Sequence, residues 1–301
     1  MKHIFVINPN AGRVNRVQEI SQKLQEVGSL YDYEIYETKS RGDAKNFVHD
    51  YLEKANKAET YRFYACGGDG TLYDVVNGAF GFPNAEVGCL ALGSGNDFVK
   101  NFPDVSAFKD VKRALEAKAR PIDIIKVDDK YCINIANYGF DGEVTFAQLR
   151  YKHWPFVSGP MAYNLAAVTS LLFHMNQFLK IVVDDKVVLE GKGLLAIAAN
   201  GFCYGGGFHC APNAKIDDGL IDFCLVKKIS RLKAASFMKV FKNGEHLTNP
   251  KIASHVIYLS GKKATFESNK PVAFAIDGEV FREKKISIEI LPKGIKFACP
   301  Q

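Results

Sequence analysis

Gly67, Gly68, Asp69, Gly70 and Thr71 (GGDGT) stand between the apolar run 61–66 and the spaced apolar residues Leu72, Val75, Val76, Ala79 and Phe80. That order reads strand, glycine turn, helix. Glycines reach positive φ and leave the backbone bare, so N–H groups at such a turn can face an anion at the helix N-terminus, where the macrodipole also favours negative charge. The chemistry suggested is phosphate binding. Asp69 is the odd member, because a carboxylate beside phosphates is repulsive unless a divalent cation or a proton transfer intervenes; it points to Mg²⁺ and phosphoryl transfer. The plainer alternative is a tight turn closed by glycines, and short glycine motifs recur by chance.

A second strand-to-glycine turn follows the apolar stretch 87–92: Gly93, Ser94, Gly95, Asn96 and Asp97, then Phe98, Val99 and Lys100. In an open α/β sheet ligands sit outside the carboxyl ends of the strands, so both loops are expected at one edge, facing the same triphosphate. Ser94 offers a hydroxyl and Asp97 a carboxylate, while Asn96 can lock the loop through side-chain to backbone bonds. An Asx-type turn capping a helix is the plainer alternative. A third loop, Asn8, Pro9, Asn10, Ala11 and Gly12 (NPNAG), follows the strand-like residues 4–7, with Arg13 and Arg16 behind it. Arginines there suit phosphate or adenine contact, although such pairs mark ordinary turns as well.

The order NPNAG, Thr38 ahead of Gly42, Asp43 and Ala44, GGDGT and GSGNDF resembles the catalytic domain of the diacylglycerol kinase superfamily, which includes bacterial lipid kinases, sphingosine kinases and ceramide kinases. Gly205, Gly206 and Gly207, the run 211–222 (APNAKIDDGLID) and residues 275–279 (AIDGE) are similar to that family's second-domain motifs. The resemblance covers nearly the whole chain. GGDGT alone is shared with NAD kinases; GSGNDF with APNAKIDDGLID is more specific to lipid kinases. A phosphofructokinase-like nucleotide domain followed by an antiparallel β-sandwich is implied, with the active site in the cleft between them.

The implied reaction passes the γ-phosphate of ATP to a lipid hydroxyl. By resemblance, ATP is held by Asn8, Pro9, Asn10, Ala11, Gly12, Thr38, Gly67, Gly68, Asp69, Gly70, Thr71, Leu72, Tyr73, Ser94 and Asp97. From pattern alone Asp277, Gly278 and Glu279 read as a hairpin tip with Asp-Gly as the turn. The family places its general base in this acidic pair, which assigns the base to Glu279 with Asp277 as its close rival; the neighbouring carboxylate is expected to raise the pKa of one of them toward neutrality. A structural Mg²⁺ is implied at the Asp218 side chain and the carbonyls of Lys215 and Leu220, where the bare reading is another Asp-Gly turn. A catalytic Mg²⁺ is implied on the ATP phosphates near Asp69 and Asp97, with Asp123 either joining that network or starting a strand. Two departures stand out: Tyr73 puts a bulky phenol where the family's usual Asn often touches the nucleotide, which bears on nucleotide affinity or base choice, while Asp74 for the usual Glu is the milder change. Ser94 replaces a common threonine and keeps the hydroxyl.

The elements that must position these loops fall into two textures. Up to about residue 121, strand and helix alternate: 4–7, an amphipathic 17–27, 33–36, a helix over 44–55, and the two glycine turns. A parallel, doubly wound sheet follows. From residue 122 short strands dominate: 122–127, 131–136, 178–183, 194–199, 219–226, 256–259, 263–267, 274–276, 286–290 and 295–298. Only two helices are expected among them, over 161–173 and 232–241. The reading is a 1–121 α/β nucleotide domain and a 122–301 β-sandwich, with carboxy-terminal residues packing back on the first domain. At 301 residues two cores are expected.

Composition bounds the function classes. Hydrophobic content of 47% and charge of 24% are those of an ordinary globular protein. No segment approaches the ~20 apolar residues of a membrane span, and the start MKHIFVINPN enters a strand without a signal-peptide core. Seven irregularly spaced cysteines suit a reducing, cytoplasmic compartment. The net charge of +6 suggests an anionic partner, but dispersed lysines and no recognised module argue against nucleic acid. Arg150, Tyr151, Lys152, His153, Trp154, Pro155 and Phe156 form a basic-aromatic cluster suited to peripheral contact with the inner face of the membrane, where the lipid substrate lies; the alternative packs Trp154 inside. An oligomer is left open. Besides a lipid kinase making phosphatidic acid from diacylglycerol, the alternatives are an NAD kinase, a lipid kinase acting on phosphatidylglycerol, a sphingoid base or a prenol, and a catalytically dead nucleotide- or lipid-binding protein.

Overall fold

The computed structural model describes residues 1–11, 16–27, 30–151, 154, 157 and 159–301. The chain divides into one compact unit of Met1–Ile124 with Pro292–Gln301, and another of Ile125–Leu291. In chain order the elements are β1 (Lys2–Ile7), α1 (Arg16–Val27), β2 (Asp32–Glu37), α2 (Asp43–Lys54), β3 (Tyr61–Gly67), α3 (Asp69–Ala79), β4 (Ala85–Ala91), α4 (Val111–Glu116) and β5 (Lys118–Val127). They continue with β6 (Lys130–Cys132), β7 (Ile135–Gly139), α5 (Phe140–Tyr151), α6 (Gly159–Phe173), β8 (Gln177–Val183), β9 (Lys186–Ala199), β10 (Ile221–Lys227), α7 (Arg231–Lys242), β11 (Val256–Gly261), β12 (Lys263–Ile276) and β13 (Glu279–Cys299).

In the first unit the parallel strands run in the order β2-β1-β3-β4, and Phe297 near the end of β13 pairs with Val87 as a further parallel strand. Central β3 is buried at every residue, which is why its sequence YRFYACG is so apolar. Ile20 and Leu24 of α1 pack with Val111, Ala114 and Leu115 of α4 on Phe5, Ile7, Tyr64 and Cys66, forming one core layer. Ala44, Val48 and Leu52, at helical four-residue spacing, give α2 its buried stripe. A Cβ on Gly78 would come 2.5 Å from the Lys45 carbonyl, so a glycine there lets α3 lie against α2. The doubly wound sheet is therefore as expected. The short α4 falls in a stretch given no element above; Asp110 caps it by accepting the Arg113 N–H.

The second unit is mostly β, with antiparallel pairing between β11, β10, β9, β7, β12 and β13 in that order. At their other ends β9 and β12 both pair with β8, so β7 and β8 bridge the same two long strands and the sheet closes on itself. Leu195, Ile197 and Ala199 of β9 alternate onto one face with Cys224 and Val226 of β10, and Ala166, Phe237 and Phe241 of α6 and α7 cover them.

Three expectations are corrected here. The helix α5 was not expected, because its buried residues Phe140, Gly142, Glu143 and Val144 cluster in one turn and leave no helical stripe to read. Its place depends on Gly142, where a Cβ would run into the Ala273 carbonyl. The expected strand 131–136 is instead two strands, β6 and β7. Conversely 263–267 and 274–276 form one strand with a register shift between Glu267 and Val272, and 286–290 and 295–298 both lie in β13.

Candidate active site

The ends of β1, β2, β3 and β4 lie at one edge, since Ile7 pairs with Glu37 and Cys66, and Gly67 with Ala91. All three glycine-containing loops therefore emerge together. The strand order reverses between β1 and β3, and such a switch point is where an open α/β sheet takes a ligand. Asn8 spans it: its Oδ1 accepts the Asn10 N–H at 3.0 Å and its Nδ2 reaches Thr71 Oγ1 at 3.5 Å. Thr38 is tied in by its N–H to the Ile7 carbonyl at 2.9 Å.

The GGDGT and GSGND turns are held back to back. Leu92 and Gly93 both donate N–H groups to the Gly67 carbonyl, at 2.8 and 3.0 Å. A Cβ on Gly93 would run into the Gly68 Cα, and one on Gly95 would come 2.8 Å from Asp69 Oδ2. Glycine is required at these positions by close approach rather than by φ. As expected, Asn96 locks its own loop: its Oδ1 accepts the Gly93 N–H at 3.0 Å and its Nδ2 donates to the Gly93 and Ala91 carbonyls at 2.8 and 3.3 Å.

Gly68 begins α3 with no side-chain cap. Its carbonyl takes the N–H groups of Thr71 and Leu72, whose side chains, like that of Tyr73, are buried. Tyr73 in particular is turned inward, 7% exposed, so its phenol is covered rather than standing at the loop surface. Gly70 and Ser94 are exposed at the edge. Asp69 accepts the Asp97 N–H at 2.7 Å. Burial, and then the neighbouring Asp97 charge, push the Asp69 carboxyl above its ordinary range. Asp97 is itself buried and paired with Lys100 Nζ at 2.5 Å. Two adjacent hard carboxylates, one of them disfavoured as an anion by the other, are a donor set that suits Mg²⁺.

Asp74, Asp123 and Arg16, each singled out in the sequence, hold backbone in place. Asp74 Oδ2 accepts the Gly42 N–H at 3.1 Å, fastening the loop after β2 to α3. Asp123, expected to join the metal network or to start a strand, lies within β5, buried, and accepts the Lys293 N–H at 2.8 Å. Arg16 donates to the Ala11 carbonyl at 3.0 Å and pairs with Glu19, so it braces the first turn. Gly12 and Arg13 lie outside the described residues.

In the second unit the hairpin at Asp277 and Gly278 forms as expected, with φ of 49° and 91° and Ile276 paired to Glu279. Asp277 does more than turn the chain. Its Oδ1 accepts the N–H groups of Asn134 and Ile135 at 3.1 and 3.0 Å and the Cys132 thiol at 3.3 Å, while Oδ2 accepts the Ile133 N–H at 2.8 Å. These bonds are why β6 and β7 are separate: the intervening N–H groups turn to a carboxylate instead of a strand. Burial raises the Asp277 pKa to about 6, outweighing the N–H bonds that lower it. The cause is burial, not repulsion from Glu279 as the sequence reading supposed. A second carboxylate missed in the sequence, Asp141 of α5, is likewise raised to about 6 by burial and accepts the Tyr204 hydroxyl. Tyr204 opens the loop in which Gly205, Gly206 and Gly207 all have positive φ.

At 215–220 the observed feature is a turn. Gly219 has φ 74°, and exposed Asp218 accepts the Leu220 N–H at 3.1 Å. Among the described residues no three His, Cys, Asp or Glu side chains gather as a metal site, so an ion here would need the carbonyls of Lys215 and Leu220 besides Asp218. Of the basic-aromatic cluster, Lys152, His153, Pro155 and Phe156 lie outside the described residues. Trp154 is 51% exposed with its ring against the edge of Tyr151, not packed inside. No helix among the described residues is long and apolar enough to cross a membrane.

Residues 2–127 match the diacylglycerol kinase catalytic domain, and residues 134–299 the YegS C-terminal NAD kinase beta sandwich-like domain. A diacylglycerol kinase of Staphylococcus carnosus is 28% identical over 97% of this chain and 95% of its own length. A Shewanella frigidimarina protein named "Probable lipid kinase YegS-like" is 30% identical over 78% of this chain and 75% of its own. Among solved structures, a diacylglycerol kinase from Bacillus anthracis superposes with a TM-score of 0.71 at 19% identity, covering 99% of this chain and 96% of that one. An Archaeoglobus fulgidus NAD kinase in complex with ATP superposes with a TM-score of 0.53 at 13% identity, covering 100% and 94%.

Proposed function

Because the chain belongs to the diacylglycerol kinase superfamily of lipid kinases, we propose that it transfers the γ-phosphate of ATP to diacylglycerol, making phosphatidic acid. The observation that carries this reading is the pair of back-to-back glycine turns at the switch point, with Asp69 and Asp97 side by side. Phosphoryl transfer is mainly positioning and neutralisation of charge. An uncapped helix start supplies N–H donors and positive potential for the phosphates. Asp69 and Asp97 would hold Mg²⁺, which when bound offsets phosphate charge; Asp218 with the Lys215 and Leu220 carbonyls would hold a structural one.

We take Asp277 rather than Glu279 as the base, because backbone N–H groups hold the Asp277 carboxylate in place. Oδ1 of Asp277 already takes three donors, whereas among the described residues Oδ2 takes the Ile133 N–H and keeps a lone pair. A carboxylate fixed by backbone N–H groups and titrating at about 6 is suited to take the lipid hydroxyl proton onto Oδ2 as the oxygen attacks phosphorus. Diacylglycerol is chosen as acceptor because the curated relatives carry that name.

The fold likeness to an NAD kinase favours a second reading, so the test runs both. Protein, Mg²⁺ and γ-labelled ATP are incubated with a mixed lipid extract and, separately, with NAD⁺. The expected label is in phosphatidic acid, and Asp69→Ala should abolish it while the variant still melts cooperatively as a folded protein, at a somewhat lower temperature because the Asp97 N–H loses its acceptor. Label in a phosphate of phosphatidylglycerol, a sphingoid base or a prenol would replace the acceptor. Label only in NADP⁺ would sink the lipid kinase reading, and ATP binding without any turnover would leave a binding protein.

A further inference from the structure

Of the donors that Asp277 gathers, three are backbone N–H groups and the fourth is a thiol. Cys132 ends β6, paired with Ile125 of β5, and is a fully buried free cysteine. Its Sγ lies 3.3 Å from Asp277 Oδ1, beside the Asn134 and Ile135 N–H groups that complete that oxygen's partners. Burial, and then the Asp277 charge, push the Cys132 thiol well above its ordinary range. It therefore remains an S–H donor wherever the carboxylate is ionised.

The backbone donors are held independently of the thiol. Asn200 Nδ2 donates to the Ile133 carbonyl at 2.8 Å, the Asn200 and Gly201 N–H groups to the Asn134 carbonyl at 2.8 and 3.1 Å, and the Asp277 N–H to the Ile135 carbonyl at 3.0 Å. The other titratable groups of the surrounding elements meet other partners. Lys130 lies with Asp129 and the Phe281 ring, Tyr138 donates to the Glu283 and Lys284 carbonyls, and Cys203 meets the segment through its carbonyl. Tyr131 alternates to the opposite face of β6, and Glu279 pairs with Ile276 across the hairpin. Among the described residues the thiol is thus the one side chain bonded to this carboxylate.

We propose that Cys132 is a positioning residue for the proton acceptor: by donating to Oδ1 it favours the ionised carboxylate and leaves the proton to be taken at Oδ2. This role rests on the reading of Asp277 as the base. A hydrogen bond to the charged form opposes the effect of burial. A thiol is a weaker donor than a hydroxyl, so it holds the carboxylate while sparing its basicity.

The test compares the full wild-type chain with Cys132→Ala, Cys132→Val and Cys132→Ser. kcat on diacylglycerol with Mg²⁺ and ATP is followed across the acid limb, and aspartate labelled at Cγ reports the Asp277 carboxyl by NMR, its signal identified by its loss in Asp277→Asn. Removing the donor in the two apolar variants should move the limb up by roughly one pH unit, so that kcat falls about tenfold at about pH 5 and far less at about pH 8. Val fills the space that Ala empties, so agreement between them separates the donor from packing. Ser, the stronger donor, should return the limb to the wild-type position or below it. ATP titrates alike in every mixture, and a merely structural role would lower kcat by one factor at every pH. The Asp277 signal should be displaced as the limb is. An Asp277 signal that titrates identically in all four proteins would overturn the proposal. A signal that moves with the donor while the limb stays put, or a wild type that phosphorylates no lipid, would sink the reading of Asp277 as a kinase base and leave the hold of the thiol on the carboxylate standing.

Discussion

Asp218–Gly219 and Asp277–Gly278 are the same dipeptide in the same mostly β unit, and both turn the chain through a glycine of positive φ. What surrounds them differs. Asp218 is exposed and accepts one N–H, from Leu220, two residues on. Asp277 gathers three N–H groups and a thiol from the segment 132–135, far away in sequence. One carboxylate closes its own turn; the other stitches a hairpin to the β6–β7 junction and is desolvated by it. The dipeptide therefore fixes only the turn, and the chemistry of the carboxylate is set by what the rest of the unit brings to it.

The largest expected effect tests the second of these. Asp277→Asn removes the basic oxygen and should lower kcat by roughly 10² to 10⁴ with the KM for ATP little changed. It also turns an NH₂ toward the Ile133 or Asn134 N–H, an unsatisfied contact costing about 1–3 kcal/mol, so the melting temperature should fall as well. Glu279→Gln should leave both nearly as they are. If Glu279→Gln carries the large loss of kcat while Asp277→Asn stays active, Asp277 is a stitch and Glu279 the base.

Such long-range stitching is what the sequence could not give up. The strand-turn-helix order at β3, Gly68 and α3 is local, and so were the loops at Asn8 and Ser94; each was legible from apolar runs and glycines. That Gly93 must touch Gly68, or Gly142 the Ala273 carbonyl, depends on strand order and packing. The expected strands 263–267 and 274–276, and 286–290 and 295–298, are each joined in the structure, the first pair through a register shift between Glu267 and Val272 and the second past a positive φ at Lys293. Tyr73 looked like an obstacle to nucleotide because helix phase alone does not tell which residue of a first turn faces inward.

A pH profile sharpens the contrast without removing either carboxylate. Burial raises Asp277 to about 6. If it must be ionised to accept a proton, log kcat should rise with unit slope below about pH 6 and level above it. The acid limb should persist in Glu279→Gln. For stability the sign is opposite. The folded carboxyl holds its proton more tightly than the unfolded one, near 3.8, so its contribution is full below 3.8 and is lost as pH rises through 6. A limb that instead moves in Glu279→Gln would transfer the titration, and the base, to Glu279.

The smallest effect belongs to Asp218, where the turn and a metal make different predictions. As a turn alone, Asp218→Ala loses one exposed hydrogen bond, about 0.5–1.5 kcal/mol at most, and the melting temperature moves by a few degrees whether or not Mg²⁺ is present. If the Asp218 side chain and the carbonyls of Lys215 and Leu220 hold Mg²⁺, ion at 100 times its dissociation constant adds about 2.7 kcal/mol to the wild type. The wild type should then melt several degrees higher in Mg²⁺ than in chelator, with Asp218→Ala indifferent to the ion. Ca²⁺ accepts the same hard oxygens with looser geometry, so a parallel melt in Ca²⁺ separates a general cation effect from a Mg²⁺ site. Equal melting of wild type and variant with and without ion would leave Asp218 as a self-contained turn and make Asp277 the only Asp-Gly carboxylate of this pair with a role beyond its own loop.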